Sequence, residues 1–330
     1  MPDYALLIAL ITAALLFDFM NGMNDAANSI ATIVSTRVLS PRYAVIWAAF
    51  FNFIAFLVFG QAVAKTMGSG IVDTKIITDQ VIFGALSGAI TWQLITWAAG
   101  IPSSSTHAMI GGLVGSAVTH AGTGVIIWHG LGRTILAIVL SPTIGMVLAL
   151  FLMLGAAWIF RRAMPGRVDS LFRKLQFCSA SLYSLGHGGN DAQKTMGIIA
   201  ALLYAHGQIQ GGFHIPLWVI LACQTAMAAG TLGGGWRIVK TMGSRITHLS
   251  PYQGVCAETA GSMMLFLATS LGIPVSTTHT ITGAIVGVGA AKRASAVRWN
   301  VAKDIVTAWI ITIPAAALVG AAAYKLFGLF

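Results

Sequence analysis

Charged residues are scarce in this chain of 330 residues: Lys, Arg, Asp and Glu make up only 8% of it, whereas hydrophobic residues make up 57%. A soluble domain of this length needs far more polar surface than these residues supply. Apolar runs recur along the whole chain, and several are long enough for a helix that crosses a bilayer, which needs roughly 20 residues. The composition therefore excludes an ordinary soluble protein and predicts a multi-pass membrane protein.

Two further absences narrow the fold class. The apolar runs lack the ten-residue alternation of polar and apolar residues that marks a membrane β-barrel, which leaves an all-α membrane protein. There are only three cysteines, Cys178, Cys223 and Cys256. They form no pair and no metal-ligand spacing, so we expect them to be small buried apolar residues. The N-terminus has no basic region and no cleavage site, and it is therefore interpreted as the first membrane helix.

Three short strings occur twice along the chain, in the same order. The offsets between the copies are 166, 175 and 172 residues, which are nearly equal and indicate a duplication. The predicted halves are residues 1–160 and 176–330, joined by a basic cytoplasmic linker at 161–175. The pairs of strings are NGMNDAAN (21–28) with HGGNDAQK (187–194), VAKTMGS (63–69) with IVKTMGS (238–244), and GIPSSSTH (100–107) with GIPVSTTH (272–279).

The basic residues predict how the chain is threaded through the membrane. Of the 19 Lys and Arg, 14 fall in four clusters, at 37–42, 161–174, 237–245 and 292–303. The positive-inside rule places these clusters in the cytoplasm, so the positive charge indicates topology and not nucleic-acid binding. Each half then crosses an odd number of times, which predicts inverted repeats and puts both termini outside. Inverted repeats with polar interruptions are typical of secondary transporters, whose substrate sites lie at broken helices.

The Asn-Asp motif places an ionisable group inside a predicted membrane helix. Inserting Asp25 there costs a few kcal/mol. Asn24 and Asn28 lie one helical turn apart beside it, and Gly22 is expected to let the backbone open and expose carbonyl oxygens. Such oxygens suit Na⁺, or a proton on Asp25. The alternative is that buried amides only hold helices together. Recurrence of the Asn-Asp pair in the second half favours a functional site.

The Gly-Ile-Pro strings each precede a cluster of hydroxyl side chains and a new apolar helix. This pattern is typical of a helix N-terminus, where Pro is tolerated in the first turn and Ser or Thr caps the helix. Inside a membrane the free N–H groups and the helix dipole would form an anion site. Helix capping alone is the alternative, and two copies favour an oxyanion site. The hydroxyl donors are Ser104, Ser105, Thr106, Ser276, Thr277 and Thr278.

Four other ionisable residues lie close to these motifs or within apolar segments. His107 and His279 each follow a hydroxyl cluster, and we expect them to form structural hydrogen bonds, contact the substrate or relay protons. Glu258, the single glutamate, and Asp18 lie in apolar segments. Each of these carboxylates is a candidate proton carrier, a candidate partner for Lys194 or a structural group.

The motifs resemble those of a known family. NGMNDAANS and HGGNDAQKT resemble the duplicated Gly-Ala-Asn-Asp-Val-Ala-Asn-Ala signature of the inorganic phosphate transporters, and PSSSTH and PVSTTH resemble the hydroxyl-rich hairpin tips of that family. The resemblance runs from residue 18 to about 315 and is similar to the bacterial low-affinity type. It implies a cytoplasmic-membrane symporter with inverted repeats, broken helices and paired re-entrant hairpins. Such a symporter carries phosphate with H⁺ or Na⁺ by alternating access and needs no other cofactor.

The resemblance also assigns residues by position. Phosphate would bind to the hydroxyl clusters, and Asp25 and Asp191 would ligate the metal ion if the chain is sodium-coupled. Lys194, Glu258 and the two histidines of the clusters would be additional candidates. The cation-coupling residues would be Asn24, Asp25, Asn28, Asn190, Asp191 and Gln193.

The chain departs from the family pattern at a few positions. Gln193 and Lys194 stand where the signature has Ala and Asn. A lysine there could replace a sodium ion electrostatically or bind the anion, which makes proton coupling more attractive. The second-half glutamate of the family matches Glu258, whereas the first-half glutamate falls at Asn52.

Several functions stay open beside phosphate symport. A sulfate permease on the same scaffold, a carrier of a divalent metal together with phosphate, and a passive channel are the alternatives. An intramembrane hydrolase is disfavoured, because two copies on opposite-facing repeats do not suit one active site and no Gly-x-Ser-x-Gly elbow is present. The expected partners are phosphate and the lipid bilayer, with no nucleic acid, and a homodimer is one candidate assembly. No enzyme activity is expected.

Overall fold

The computed structural model describes residues 4–210 and 212–329. Twelve α-helices and no β-sheet make up this part of the chain, which confirms the predicted all-α class. A π-helical turn at Thr241–Arg245 continues α9. The helices are α1 (Tyr4–Ser35), α2 (Pro41–Ile54), α3 (Ala62–Ser69), α4 (Asp79–Ala99), α5 (Ser105–Ala121), α6 (Trp128–Ile159), α7 (Pro165–Ala205), α8 (Leu217–Gly233), α9 (Trp236–Lys240), α10 (Pro251–Ser270), α11 (Thr277–Lys292) and α12 (Trp299–Phe327).

The helices form two series of six with the same order. Each series begins with a long helix, α1 or α7, that carries an Asn-Asp motif. A bent pair follows, with an angle of 82° between α2 and α3 and 63° between α8 and α9. A helix pair joined by a hydroxyl-rich tip comes next, and a long apolar helix, α6 or α12, ends the series. This order agrees with the duplication in the sequence, while the opposite orientation of the halves stays a prediction.

Several helices have the length and composition of membrane spans. Among the described residues, α1, α4, α6 and α12 are long and apolar enough to cross a bilayer, and the total rises to six if each bent pair is one span. The outer faces of α6 and α12 carry exposed large apolar side chains, among them Val139, Ile310 and Leu318. Such faces suit contact with lipid, because a soluble protein rarely exposes so much apolar surface.

The start of α7 lies within the predicted linker, and this helix corrects the expectation for one cysteine. The helix begins at Pro165, so most of the predicted linker is helical and continuous with the second Asn-Asp motif. Proline fits this first helical position because its missing N–H has no partner to lose there. Cys178 is exposed on the outer face of α7, where the apolar Leu175 and Leu182 are also exposed. The other two cysteines are buried as expected.

Gly22 packs two helices together and does not open the backbone. α1 runs without interruption through the first Asn-Asp motif, so the expected break there is wrong. A Cβ on Gly22 would lie 2.1 Å from the carbonyl oxygen of Met227 in α8. On the facing side, a Cβ on Gly230 would lie 1.9 Å from the carbonyl oxygen of Phe19. The two glycines therefore allow α1 and α8 to approach backbone to backbone, and the broken helices are the bent pairs.

The final helix of each series packs against the helix pair of the other series. α12 lies against α4 and α5, and α6 lies against α10 and α11. Close contacts lock both arrangements: a Cβ on Gly115 would lie 2.2 Å from the Ala317 carbonyl oxygen, and one on Gly283 would lie 2.1 Å from that of Pro142. This exchange between the series brings the two hydroxyl-rich tips together in the centre of the protein.

The α1–α8 contact predicts the effect of a single added methyl group. We expect Gly22→Ala to lower the free energy of unfolding by about 1–3 kcal/mol, because the helices must separate to admit the Cβ. Gly155→Ala in α6 is the matched control, since nothing lies within 4 Å of its Cβ position. Thermal unfolding of both variants in detergent checks this. Equal midpoints for the two variants would contradict the packing assignment.

Candidate functional site

Both hydroxyl clusters lie at helix N-termini, as predicted. The side chain of Ser104 caps α5 by accepting a hydrogen bond from the backbone N–H of His107, at 3.2 Å. Ser276 caps α11 in the same way, with the N–H of His279 at 3.2 Å. The prolines precede the caps and do not lie in the first helical turn, because α5 begins only at Ser105. Each tip therefore presents a capped helix N-terminus to the centre of the protein.

The two tips bind to each other reciprocally. The hydroxyl of Thr106 donates to the carbonyl oxygen of Val275 at 2.9 Å. The hydroxyl of Thr278 donates to the carbonyl oxygen of Ser103 at 3.2 Å. Thr106 and Thr278 occupy equivalent positions in the duplicated strings, and so do Ser103 and Val275. Each tip therefore makes the same hydrogen bond to the other tip. The N-termini of α5 and α11, which are the positive ends of their helix dipoles, consequently lie beside each other.

The tips also hold the carboxylates of the two Asn-Asp motifs. Asp25 accepts hydrogen bonds from Ser105 at 3.2 Å and Thr278 at 3.3 Å. Asp191 accepts one from Thr277 at 2.9 Å. Both carboxylates are buried. Because Ser105 and Thr277 occupy equivalent positions in the two strings, each carboxylate receives a hydroxyl from the tip of its own half.

The equivalent residues Asn28 and Lys194 make the halves electrically different. The amide of Asn28 donates to Thr277 at 3.2 Å and to Thr278 at 3.0 Å. The ammonium group of Lys194 donates to Thr106 and, at 3.0 Å, to the Val275 carbonyl oxygen. It also lies 2.5 Å from Asp191, and the side chain is buried. Asp191 therefore has a fixed cationic partner in Lys194.

His187 joins this cluster, although sequence reasoning gave it no role. Its Nε2 lies 3.4 Å from a carboxylate oxygen of Asp191. Its Nδ1 lies 3.3 Å from the Ser29 hydroxyl and 3.2 Å from Oδ1 of Asn52. One ligand atom from each of Asp25, His187 and Asp191 lies within 4.8 Å of the others, so these three residues could hold a metal ion. The signal in the sequence was the spacing of His187, one helical turn before Asp191.

The other predicted cation-coupling residues lie around this cluster with different contacts. Asn190 positions the second tip by accepting from the N–H of Val275 at 3.2 Å and donating to Thr269 at 3.0 Å. Gln193 accepts from the N–H groups of Val63 and Ala64, at 3.0 and 3.2 Å, and so caps the start of α3. Asn24 is buried, and its Oδ1 has no hydrogen-bond partner.

Glu258 forms a separate buried cluster. It accepts hydrogen bonds from Ser179 and, at 3.0 Å, from Gln176, both on α7. Gln176 in turn accepts from Thr36 of α1 at 2.8 Å. Glu258 is therefore not the partner of Lys194. Asp191 takes that place because it lies one turn away on the same helix.

His107 and His279 lie in contact beside the tips, with their rings tilted by 38°. Their ring centroids are 4.4 Å apart, and His279 stacks on Trp309 of α12 at 3.6 Å. Both rings line a mostly apolar cavity of ≈ 480 Å³ between α6, α11 and α12. Nδ1 of His107 and Nε2 of His279 have no hydrogen-bond partner. The backbone N–H groups of both residues complete the helix caps, while the role of the two imidazole rings stays a prediction.

Known proteins resemble this chain over almost its whole length. Residues 21–320 match the phosphate transporter family. A "Probable low-affinity inorganic phosphate transporter" of Rhizobium meliloti is 66% identical over 321 residues, covering 97% of this chain and 96% of the relative. A protein of the same description from Bacillus subtilis is 44% identical with the same coverage. A solved structure described as "The sodium-dependent phosphate transporter" superposes with a TM-score of 0.88 at 26% identity, over 99% of this chain and all of that one.

The matched proteins also bear on two alternatives. All of these descriptions are of transporters, which agrees with the expectation that the chain is not an enzyme and leaves the hydrolase alternative without support. None of the four descriptions names sulfate, so the sulfate alternative is likewise unsupported.

The Asp191–Lys194 pair predicts a compensating double substitution. We expect Asp191→Asn to lower the free energy of unfolding by about 3–5 kcal/mol, because it leaves the buried lysine without its counter-charge. Adding Lys194→Asn removes the unpaired charge and copies the residue at Asn28, so most of the lost stability should return. Unfolding midpoints of both variants in detergent test this. A double variant less stable than the single one would show that the pair is not coupled as described.

Proposed function

This chain belongs to the phosphate transporter family, and on that basis we propose that it is a secondary active symporter that imports inorganic phosphate with H⁺ or Na⁺. The membership confirms the resemblance of its motifs, and the chain is a multi-pass membrane protein. One observation carries the proposal: two capped helix N-termini meet two buried carboxylates and a lysine in the centre of the protein. Donors for an oxyanion and acceptors for a cation thus lie side by side.

The donors around the tips suit a tetrahedral oxyanion. The hydroxyls of Ser105 and Thr277 donate to carboxylates here, and they could turn to the oxygens of a bound anion. The two helix dipoles and the Lys194 ammonium group favour negative charge at the same place. Phosphate carries protons that it can donate to Asp25 and Asp191, whereas sulfate is fully deprotonated. The acceptors therefore favour phosphate over sulfate.

The carboxylates supply the coupling site. Lys194 balances the charge of Asp191 at 2.5 Å, but Asp25 receives only hydroxyl hydrogen bonds. Asp25 is therefore the carboxylate that needs a mobile cation, and His187 and Asp191 supply the other ligand atoms within 4.8 Å. The related solved structure is described as sodium-dependent, which supports a sodium ion here. The fixed charge of Lys194 can take the place of a sodium ion, which supports a proton as the coupling ion instead. Transport measurements under imposed gradients distinguish the two ions.

The two series of helices supply a mechanism for alternating access. Residues 1–160 and 176–330 form inverted halves in this proposal, and the positive-inside rule puts the four basic clusters, at 37–42, 161–174, 237–245 and 292–303, in the cytoplasm. The termini then lie outside the bacterial inner membrane. Rocking of one half against the other would open the central site to each side in turn. Because α12 is packed tightly against α4 and α5, and α6 against α10 and α11, each final helix would move together with the helix pair of the other half.

Asp25→Asn tests the coupling site. We expect uptake of labelled phosphate into proteoliposomes to fall nearly to background, because the amide cannot balance the cation's charge. The protein should stay folded, since Asn keeps the volume and can still accept from Ser105. Asp169→Asn is the matched control, because that carboxylate is exposed in a surface ion pair with Arg173. Wild-type uptake in Asp25→Asn would remove Asp25 from the site.

Imposed pH and sodium gradients identify the coupling ion and the transported anion. Wild-type proteoliposomes receive a pH gradient without sodium, or a sodium gradient without a pH difference, and accumulation of labelled phosphate is followed. We expect one gradient to drive accumulation and excess sulfate to leave it unchanged. Equilibration without accumulation under both gradients would indicate a channel and contradict symport. Accumulated sulfate would contradict the assignment of phosphate.

A further inference from the structure

Asp18 is a buried carboxylate that the central site leaves unused. It lies on α1, two helical turns before Asp25, and its side chain is inaccessible to solvent. Neither carboxylate oxygen accepts a hydrogen bond of ordinary length and angle. In the described part of the chain the other buried carboxylates, Asp25, Asp191 and Glu258, all accept hydrogen bonds. An ionised carboxylate without a partner would be costly at this buried position. A bound proton or metal ion must therefore balance the charge of Asp18.

Two further side chains without partners surround this carboxyl group. Asn21 lies one turn further along α1, and Thr195 lies on α7, and both are beside Asp18. The amide oxygen and nitrogen of Asn21 and the hydroxyl of Thr195 lack hydrogen-bond partners, and both residues are fully buried. Unpartnered buried polar atoms are rare in folded proteins. Asp18, Asn21 and Thr195 therefore lie together with only long or poorly aligned hydrogen bonds between them, which leaves room to bind a proton.

The duplication places a related group at the equivalent point of the other half. With the offset of 166 residues, Asp18 corresponds to Ser184, Asn21 to His187 and Thr195 to Ser29. The Ser29 hydroxyl lies 3.3 Å from Nδ1 of His187. Each half therefore has one ionisable side chain at this level: a carboxylate in the first and an imidazole in the second. The position of Asp18 itself holds a serine in the second half, so the ionisable groups of the two halves stand one helical turn apart.

The charges that face Asp18 leave it without a counter-ion. Asp191 and Lys194 act on it electrostatically from α7, and Cys223 faces it from α8. Lys194 is already committed to Asp191 at 2.5 Å, so the pair carries little net charge. The thiol of Cys223 offers no positive charge. The cation that balances Asp18 must therefore come from outside the protein.

A proton fits this point better than a metal ion. A hard metal ion needs several oxygen ligands, which often include backbone carbonyl groups. The carbonyl groups of α1 and α7 are not free for this, because both helices run unbroken past Asp18 and Thr195. A proton needs only a carboxylate oxygen and one acceptor, and the amide oxygen of Asn21 or the hydroxyl oxygen of Thr195 can be that acceptor.

We propose that Asp18 carries a coupling proton at a site separate from the Asp25–His187–Asp191 group, an inference that rests on the proposed symport. A carboxylate oxygen takes the proton from the outward-facing solvent, and the same O–H bond breaks when the protein faces inward. Protonation removes one negative charge from the surroundings of Asp191 and Lys194, so it strengthens the binding of phosphate. By linkage, bound phosphate strengthens the binding of the proton by the same factor, and this reciprocity couples the two fluxes.

Asp18→Asn separates coupling from binding in proteoliposomes without sodium. One pH unit across the membrane supports about tenfold accumulation of phosphate for each coupled proton. We expect the wild type to accumulate phosphate in this way, whereas Asp18→Asn only equilibrates it. Exchange of internal for labelled external phosphate at equal pH should stay at the wild-type rate in the variant, because the binding site is intact. Asp169→Asn should behave as the wild type in both assays.

Each other outcome has a distinct meaning. No phosphate exchange by the wild type would contradict the proposed function itself. Accumulation by Asp18→Asn equal to that of the wild type, or wild-type accumulation driven by sodium alone, would overturn the role of Asp18 and leave phosphate transport standing. If Asp18→Asn also loses exchange, Asp18→Ser, which copies Ser184 of the other half, is measured. Loss of exchange in both monodisperse variants would make Asp18 a structural residue and overturn the proposal.

Discussion

The hydrogen bonds and the counter-charge that the protein supplies to its two central carboxylates, Asp25 and Asp191, shape the centre of the fold. A carboxylate in an apolar interior is costly unless hydrogen bonds or a counter-charge balance it. Asp25 and Asp191 receive hydroxyl groups from the two helix tips, and Lys194 adds a charge to one of them. α6 and α12 each pack against the helix pair of the other series, next to these tips. The packing of the helix pairs and the hydrogen bonding of the two carboxylates thus depend on each other.

The differences between the halves are as informative as their likeness. Asn28 and Lys194 make equivalent contacts with the tips, but only Lys194 carries a charge. His187 stands where the first half has Asn21, and Asp18 stands where the second half has a serine. A fully symmetric cluster would hold two equal carboxylates. In the proposed symport, the asymmetry leaves Asp191 balanced by Lys194, whereas Asp25 and Asp18 take a mobile cation.

The local parts of this structure could be predicted from the sequence, and the long-range parts could not. Ser104 and Ser276 as helix caps follow from residue type and spacing, and the duplication follows from repeated strings. The role of Gly22 could not be predicted, because it depends on a facing carbonyl group of α8. The contacts of Gln193 and Glu258 likewise depend on which helices are neighbours. Sequence spacing identified the polar residues but not their partners.

The central claim is that phosphate binds between the two hydroxyl-rich tips. Arsenate is a tetrahedral oxyanion with the same charges as phosphate, and arsenic can be located by its anomalous X-ray scattering. If phosphate binds there, crystals grown with arsenate should show one arsenic peak between the tips. We expect this peak within hydrogen-bonding distance of the hydroxyls of Ser105 or Thr106 and of Thr277 or Thr278. An arsenic peak in the cavity beside His107 and His279, with none between the tips, would contradict it.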